Sequence, residues 1–570
     1  MKNALYISVL LALVLSGVVP AQEASAQRTD GEEVEPFRIS RGQSFSASPG
    51  GQGDRGDGVP RYSATQALVD YKEALDVVLR NHVSGNEADP EKLTKLAIET
   101  MLSTLDPHSS YFDPREYSEL LAEQRSEYFG IGASIANFGY GEDLSTYIVA
   151  TFEGSPAYVA GLRFGDRIVE VDGLRVVGRN SLIVRNRVRG PIGSEVTIVV
   201  ERAGVDKRLT YKLRRKRVPQ PSIPDHYMLD ETVGYVDLSA GFNYTTKDEL
   251  DRALSDLARS GMRSLILDLR DNTGGILEQA VHVAGKFLPR GSRILSQRGR
   301  SPFDNRDWDS GTKTPVGIPL IVLVNEETAS ASEIVAGALQ DHDRALIVGT
   351  RTFGKGLVQS VIDLPHGAGM TLTSAKYYTP SGRLIQRDYS NVGLYDYYRH
   401  KSIITESQDQ KHKKETAGGR TVFGGDGIRP DQTVEAFELN ERRLSLLDPL
   451  FFFSRDLSAG QISGLDSYRV FRQTSYSGSG SDREFLISPE VLNAFKDYVS
   501  TVRPEGVTEA LLVEEESFIK ARLRYNLYVA AYGTESGKRI LNDTDPQVRV
   551  ALDLLPKARQ MASKKVAAQK

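Results

Sequence analysis

The sequence predicts a multidomain α/β protein with a helical region at each end, and three observations predict it. Its 570 residues suffice for about three or four domains. A block at 218–437 alternates short apolar strands with helical patterns, the mark of a layered α/β core. A block at 126–217 is strand-rich, whereas 63–125 and 438–570 space their apolar residues at helical intervals.

The N-terminus reads Met1-Lys2-Asn3, then an apolar stretch from Ala4 to Val19, then small residues at Ala21 and Ala24-Ser25-Ala26. This predicts a signal peptide over 1–26, with cleavage after Ala26 preferred to Ala21; left uncleaved, its borderline apolar length would serve as a membrane anchor. The chain has no cysteine, which excludes a disulfide framework and lipid attachment through a thiol. An exported, periplasmic location is therefore expected, with attachment to the inner membrane if the signal is retained. Residues 27–62, rich in Gly, Ser, Asp and Arg, read as a disordered spacer, and Arg55-Gly56-Asp57 within it as a chance tripeptide. A formal net charge of −4 gives no nucleic-acid footprint and no polybasic membrane surface.

In the first helical region Leu68, Tyr71, Leu75, Val78 and Leu79 mark one face, and Leu105-Asp106-Pro107-His108-Ser109-Ser110-Tyr111-Phe112 interrupts the pattern. In the core, apolar strands are expected at 234–238, 264–269, 320–324 and 345–348, with helices near 247–259, 276–287 and 331–341. Residues 388–425 are polar and rich in Tyr, Lys and Gly, and read as an exposed insertion. Residues 475–483 form a flexible break in the last region, and the basic tail from Lys557 reads as a solvated helix end.

The chemistry is carried by Thr328-Ala329-Ser330-Ala331-Ser332-Glu333 and by Thr352-Phe353-Gly354-Lys355-Gly356, with Gln359 close behind. Serine needs a base to take its proton, and an amine serves only when uncharged. Bringing a lysine from about 10.4 to near neutrality costs about 4 kcal/mol. The apolar run Ala345–Val348, the flanking glycines and Val358 offer the burial this requires, and Gln359 can accept a hydrogen bond from the amine and aim it. Ser330 opens a helix, so the Ala331 N–H is free for an oxyanion; Asn272-Thr273-Gly274-Gly275, following an apolar strand, offers the Gly275 N–H as second donor.

Leu267-Asp268-Leu269-Arg270-Asp271-Asn272-Thr273-Gly274-Gly275, the Ser-Ala-Ser-Glu run, Gln340-Asp341, the Lys355 loop and Tyr377-Tyr378-Thr379-Pro380-Ser381-Gly382 together resemble the C-terminal processing peptidases, or tail-specific proteases, over about residues 65 to 435. The resemblance implies a crotonase-like α/β core with Ser330 as nucleophile, Lys355 as base, Gln359 as orienting residue and Gly275 with Ala331 as oxyanion hole. It implies no cofactor and no metal. Thr273 stands where the family usually has proline, leaving the oxyanion turn less rigidly preset, and Thr328 where it often has serine. Phe129-Gly130-Ile131-Gly132, Gly154-Ser155-Pro156-Ala157, Ala160-Gly161-Leu162, Gly165-Asp166-Arg167-Ile168 and Val171-Asp172-Gly173 resemble a PDZ domain, which captures a chain's C-terminus as an added strand. Gly130, Ile131 and Gly132 are then the carboxylate loop. Unstructured protein C-termini are the expected partners, alongside an adaptor or activator protein.

Ser330 taken alone would read as a helix cap, the commoner role of an isolated serine before a helix. Ser332 is the rival nucleophile, placed second because the serine-to-lysine spacing of the resembled family selects Ser330. His342 would lie about 18 Å from Ser330 along a continuous helix, too far to act as base. None of the eight histidines has metal-ligand spacing with another. Gly349-Thr350-Arg351-Thr352-Phe353-Gly354-Lys355 fits the spacing of a phosphate-binding loop, but Gly356 stands where a metal-binding hydroxyl should be. A PDZ scaffold with an inactive core, and an acyl-transfer or lipid-handling enzyme on a crotonase-like fold, are the remaining alternatives.

Overall fold

The computed structural model describes residues 62–139, 143–390, 397–398, 412–436, 439–476 and 484–568. The signal, the Arg55-Gly56-Asp57 tripeptide, nearly all of the spacer, much of 388–425 and residues 477–483 of the expected break lie outside them. The described residues fall into two compact units, one ending at Leu102 and one running on from Ser103.

In the first unit, a helix over Ala64–Asn81 starts at a reciprocal cap: Ser63 Oγ accepts from the Gln66 N–H at 3.2 Å and Gln66 Oε1 from the Ser63 N–H at 2.8 Å. A second helix spans Pro90–Ser103. The expected helical periodicity is present, yet no residue of the first helix is buried, and Leu68, Tyr71 and Val78 of its apolar face are exposed.

In the second unit, the run that interrupts the helical pattern contains a strand, Ser110–Phe112, antiparallel to Gly369–Tyr378 of the core. That sheet also holds Leu357–Asp363, Arg293–Gly299 and Arg306–Asp309.

A six-stranded sheet over residues 133–214 forms the PDZ-like domain. Strand Glu195–Glu201 shows why: Val196, Ile198 and Val200 alternate inward onto Ile148, Ile168 and Val184, while their neighbours face outward. Ala133–Phe138 is an edge strand, paired on one side with Ser145–Thr151. Helix Ser181–Val188 packs near it.

In the core, Val233–Asp237, Ser264–Asp268, Leu320–Val324, Leu346–Gly349 and Gln432–Thr433 run parallel, with Asp225–Met228 antiparallel at one edge. The first four are buried throughout, as their unbroken apolar runs require when both faces are covered. Helices Thr246–Arg259, Leu277–Gly285 and Ala331–Asp341 cover one face. The other is covered from the far end of the chain: Val548, Ala551, Leu555 and Ala558 of helix Pro546–Ala568 pack on Tyr235, Ile266, Ile321 and Leu346. The helix running past Lys557 is thus structural along one side. Four helices of the C-terminal region, Glu441–Ser458, Pro489–Val502, Glu509–Glu514 and Glu516–Tyr532, share a separate core.

The described residues of the insertion, 388–390, 397–398 and 412–425, are partly buried. Tyr397 and Val422 are buried, and Lys413–Glu415 pairs with Thr421–Phe423, tied down by Arg420 to Asp343 and Asp431.

Candidate active site

Parallel strands place three loops at one end of the core sheet. Asn272–Gly275, Asn325–Ser330 and Thr350–Gly356 follow neighbouring strands in register, the place where α/β sheets hold their ligands.

Ser330 is the N-cap of helix Ala331–Asp341, with φ 56° and ψ −115°. A side chain in that conformation costs about 1–3 kcal/mol and needs the surroundings to impose it. Two groups do so. The Ser330 N–H donates to Glu333 Oε2 at 2.8 Å, and the buried Tyr377 hydroxyl lies 3.0 Å from the Ser330 carbonyl and 2.6 Å from that of Lys355.

Glu333 binds both loops. Its Oε1 accepts from the Thr352 hydroxyl at 2.6 Å and the Gly354 N–H at 2.7 Å, and its Oε2 also accepts from the Lys355 N–H at 2.9 Å. The Ile428 N–H donates to the Thr352 oxygen at 2.7 Å, so the Thr352 proton is aimed at Glu333 and the carboxyl accepts throughout. Burial pushes Glu333 up to about 7, while Thr352 and the three amides pull it down.

Burial pushes Lys355 down to about 8, with Asp106 and Glu333 opposing. Roughly one Lys355 in ten is then neutral at pH 7. Its Nζ donates to Gln359 Oε1 at 2.7 Å, and no hydrogen bond joins it to Ser330 Oγ among the described residues. Gln359 Nε2 donates to the His108 carbonyl. His108, which the sequence placed outside the core motifs, therefore stands beside the lysine. Its ring is 3.0 Å from the Tyr397 hydroxyl, and burial together with Lys355 pushes it down to about 3, so it is neutral.

Gly274 and Gly275 take φ of 106° and 135°, which side chains rarely adopt. A Cβ on Gly274 would lie 2.8 Å from Ser330 Cβ and 3.1 Å from the Ala331 nitrogen, so the turn sits directly against Ser330. The Asn272 side chain accepts from the Gly274 N–H at 2.9 Å and donates to the Leu238 carbonyl at 2.6 Å, and the Phe242 N–H donates to the Gly274 carbonyl at 2.8 Å. These bonds fix the turn despite Thr273. The N–H groups of Gly275 and Ala331 have no hydrogen-bond partner among the described residues.

Ser332 is buried, and its hydroxyl donates to the Asn272 carbonyl at 2.8 Å. His342 ends the helix, 2.6 Å from the Arg293 carbonyl. Asp341 holds Arg383 and the Ser381 N–H and hydroxyl, a structural role. Lys355 leads into strand Leu357–Asp363 where a phosphate-binding loop would open a helix. Asp268 and Arg270 serve the last helix: Arg270 bonds Asp268, Asp545 and Gln547.

In the PDZ-like domain, Gly130, Ile131 and Gly132 enter the edge strand. The Tyr128 ring lies on Gly130, where a Cβ would be 2.8 Å away, with Arg189 5.1 Å above it. Burial pushes the Tyr128 phenol up to about 12, against the pull of Arg189 and of the Gly132 and Ala133 amides.

Sequence reasoning missed Glu333, Tyr377, Asn272, Asp106 and His108. Asn272, Tyr377, Asp106 and His108 stood inside runs already singled out, with nothing to mark their contacts, and Glu333 left the Ser-x-x-Glu spacing of a capping box, which points to helix geometry alone.

Residues 232–392 match the family model described as peptidase family S41, and residues 148–202 that of a PDZ domain. A carboxy-terminal-processing protease of Bartonella bacilliformis is 39% identical over 304 residues, spanning 52% of this chain and 68% of that protein. A carboxyl-terminal-processing protease of Picosynechococcus sp. is 35% identical over 305 residues, 52% of this chain and 70% of that one. One of Synechocystis sp. is 37% identical over 293 residues, 50% of this chain and 67% of that one. A serine-type peptidase core with a PDZ domain, matched to these relatives over most of their length, places the chain in the carboxyl-terminal processing proteases of peptidase family S41.

Proposed function

We propose that this peptidase is exported, captures unstructured protein C-termini on its PDZ domain and cleaves upstream through a Ser330 acyl-enzyme. The observation that carries the reading is Glu333, whose single carboxyl group accepts from the amides of both Ser330 and Lys355 and so fixes nucleophile and base together.

In this reading neutral Lys355 gives one N–H to Gln359 and turns its lone pair to the Ser330 hydroxyl. Ser330 Oγ forms a bond to the peptide carbonyl carbon as its proton passes to Lys355, and the Gly275 and Ala331 amides receive the oxyanion. Collapse breaks the C–N bond, the Lys355 proton leaves with the amine, and water releases the acyl group with Lys355 again as base. The tail pairs with the open side of Ala133–Phe138, its carboxylate taken up by the amides around Gly130, Ile131 and Gly132. Export rests on the Met1–Ala26 segment, and an adaptor or activator that delivers substrates is compatible with the same surface.

The test incubates the mature chain, Ser330→Ala and Lys355→Ala with an unfolded protein ending in apolar residues and with the same protein given a charged tail. Fragments are followed by mass spectrometry. Cleavage by the parent alone, faster for the apolar tail, is expected. Cleavage that survives both substitutions would overturn the assignment, and tail binding without cleavage by any form would favour a scaffold.

A further inference from the structure

Five arginines converge on a crevice far from the peptidase chemistry. Arg163 and Arg202 come from loops of the PDZ-like domain, and Arg455, Arg469 and Arg472 from the C-terminal helical region. The crevice encloses about 120 Å³, room for several waters or one small ion and too little for a drug-sized ligand.

Its charge is unbalanced. Arg202 pairs with Asp166 at 2.7 Å and Arg455 with Asp456 at 3.0 Å. Arg163, Arg469 and Arg472 form no ion pair among the described residues: Arg469 lies over the Phe471 ring at 4.6 Å, and Arg472 over that of Tyr158 at 5.3 Å. Asp166 cannot serve all comers, since two Arg202 N–H groups and the Arg163 backbone N–H already occupy its oxygens. Burial, then Arg202, pushes Arg163 down; Asp166 opposes, and Arg469 adds to the repulsion.

The walls are firmly joined despite this repulsion. The Gln473 side chain accepts from the Thr151 N–H and hydroxyl, each at 3.0 Å, and donates to the Thr151 carbonyl at 2.6 Å. A Cβ on Gly165 would lie 2.2 Å from Arg455 Cγ, so the arginine stem lies directly on the PDZ loop. Phe138 stacks on Phe451 with ring centres 3.5 Å apart, and the Gly139 N–H donates to Asp448 at 2.9 Å.

We propose that this crevice binds a small divalent oxyanion of phosphate type, which bridges the PDZ domain and the helical region through Arg163, Arg469 and Arg472. Guanidinium forks match phosphate oxygens in pairs. A divalent ion also answers three uncompensated charges better than chloride or a single carboxylate does. The site is separate from the proposed tail-binding strand Ala133–Phe138 and from Ser330, and does not depend on the proposed cleavage mechanism.

The test titrates inorganic phosphate and pyrophosphate into the full chain by calorimetry, with sodium chloride at matched ionic strength as control, and follows Tm. Saturable one-to-one binding is expected, with a rise in Tm that chloride does not give. Arg163→Gln/Arg469→Gln should weaken binding about tenfold or more. Without anion, that double variant should keep or exceed the parent Tm, because no ion pair is lost and repulsion falls. Arg472→Gln, a single change at the exposed rim, reads the same loss of affinity if the double variant fails to fold. Absence of saturable binding, equal affinity in the arginine variants, or a lower Tm in folded, anion-free double variant would overturn the proposal.

Discussion

Replacing Glu333 tests whether one carboxylate holds the catalytic loops together. Leucine is close to glutamate in size but accepts nothing, so Glu333→Leu orphans four donors: the amides of Ser330, Gly354 and Lys355 and the Thr352 hydroxyl. At about 1–3 kcal/mol for each buried donor left unpaired, the loss is about 4 kcal/mol or more, a large share of a domain's stability. Glu333→Gln should be milder. Its carbonyl can serve Ser330 and Lys355 while its NH2 donates to the Thr352 oxygen, leaving the Gly354 N–H and the Thr352 hydroxyl proton without an acceptor, at about 1–3 kcal/mol each. Urea unfolding should therefore rank parent above Gln above Leu, and the rate of peptide cleavage should follow the same order. Misplacement of nucleophile against base by about 1 Å is worth roughly a hundredfold in rate, so Leu should lose at least that much. A Leu variant within about 1 kcal/mol of the parent would refute the argument.

Four further outcomes follow from the geometry. If Lys355 is the base proposed above, acting as the neutral amine, cleavage of a fluorogenic peptide should rise with pH through a midpoint of about 8, and Asp106→Asn should move that midpoint down by removing a charge that favours the ammonium; a flat profile would count against Lys355 as base. Tyr377→Phe deletes the hydroxyl shared by the Ser330 and Lys355 carbonyls and should cost about 1–3 kcal/mol in thermal unfolding, with a fall in kcat exceeding any change in KM. Tyr128→Phe removes the phenol oxygen beside the Gly132 and Ala133 amides and should tighten binding of an apolar-tailed peptide severalfold by fluorescence anisotropy; unchanged affinity would place the carboxylate elsewhere. Deleting residues 546–570 bares one face of the catalytic sheet, losing at least the burial of Val548 and Leu555 at about 3 kcal/mol or more, and should lower Tm and promote aggregation.

Much of the site was legible because its chemistry is local. Ser330 and Ala331 follow one another at a helix start, and Gly274-Gly275 ends an apolar strand, so residue type, periodicity and order made them candidates, while the choice of Ser330 over Ser332 rested on the serine-to-lysine spacing of the family resemblance. The alternation that marks Glu195–Glu201 as a half-buried strand, and the unbroken apolar runs of Ser264–Asp268 and Leu320–Val324, are likewise written in a few consecutive residues. What the tertiary structure alone decided is which distant residues meet. Asp106 and His108 reach Lys355 because a three-residue strand joins the sheet at Gly369–Tyr378, and nothing in their own spacing specifies that partner. Glu333 looked like an ordinary first-turn acid until burial left its oxygens facing amides from two loops. The apolar face of Ala64–Asn81 shows the converse, since its periodicity predicts a helix correctly but does not say what covers it. Helix Pro546–Ala568 shows the same in reverse: it returns from the end of the chain to close the core sheet, a pairing set by long-range burial of apolar surface, which no local pattern encodes.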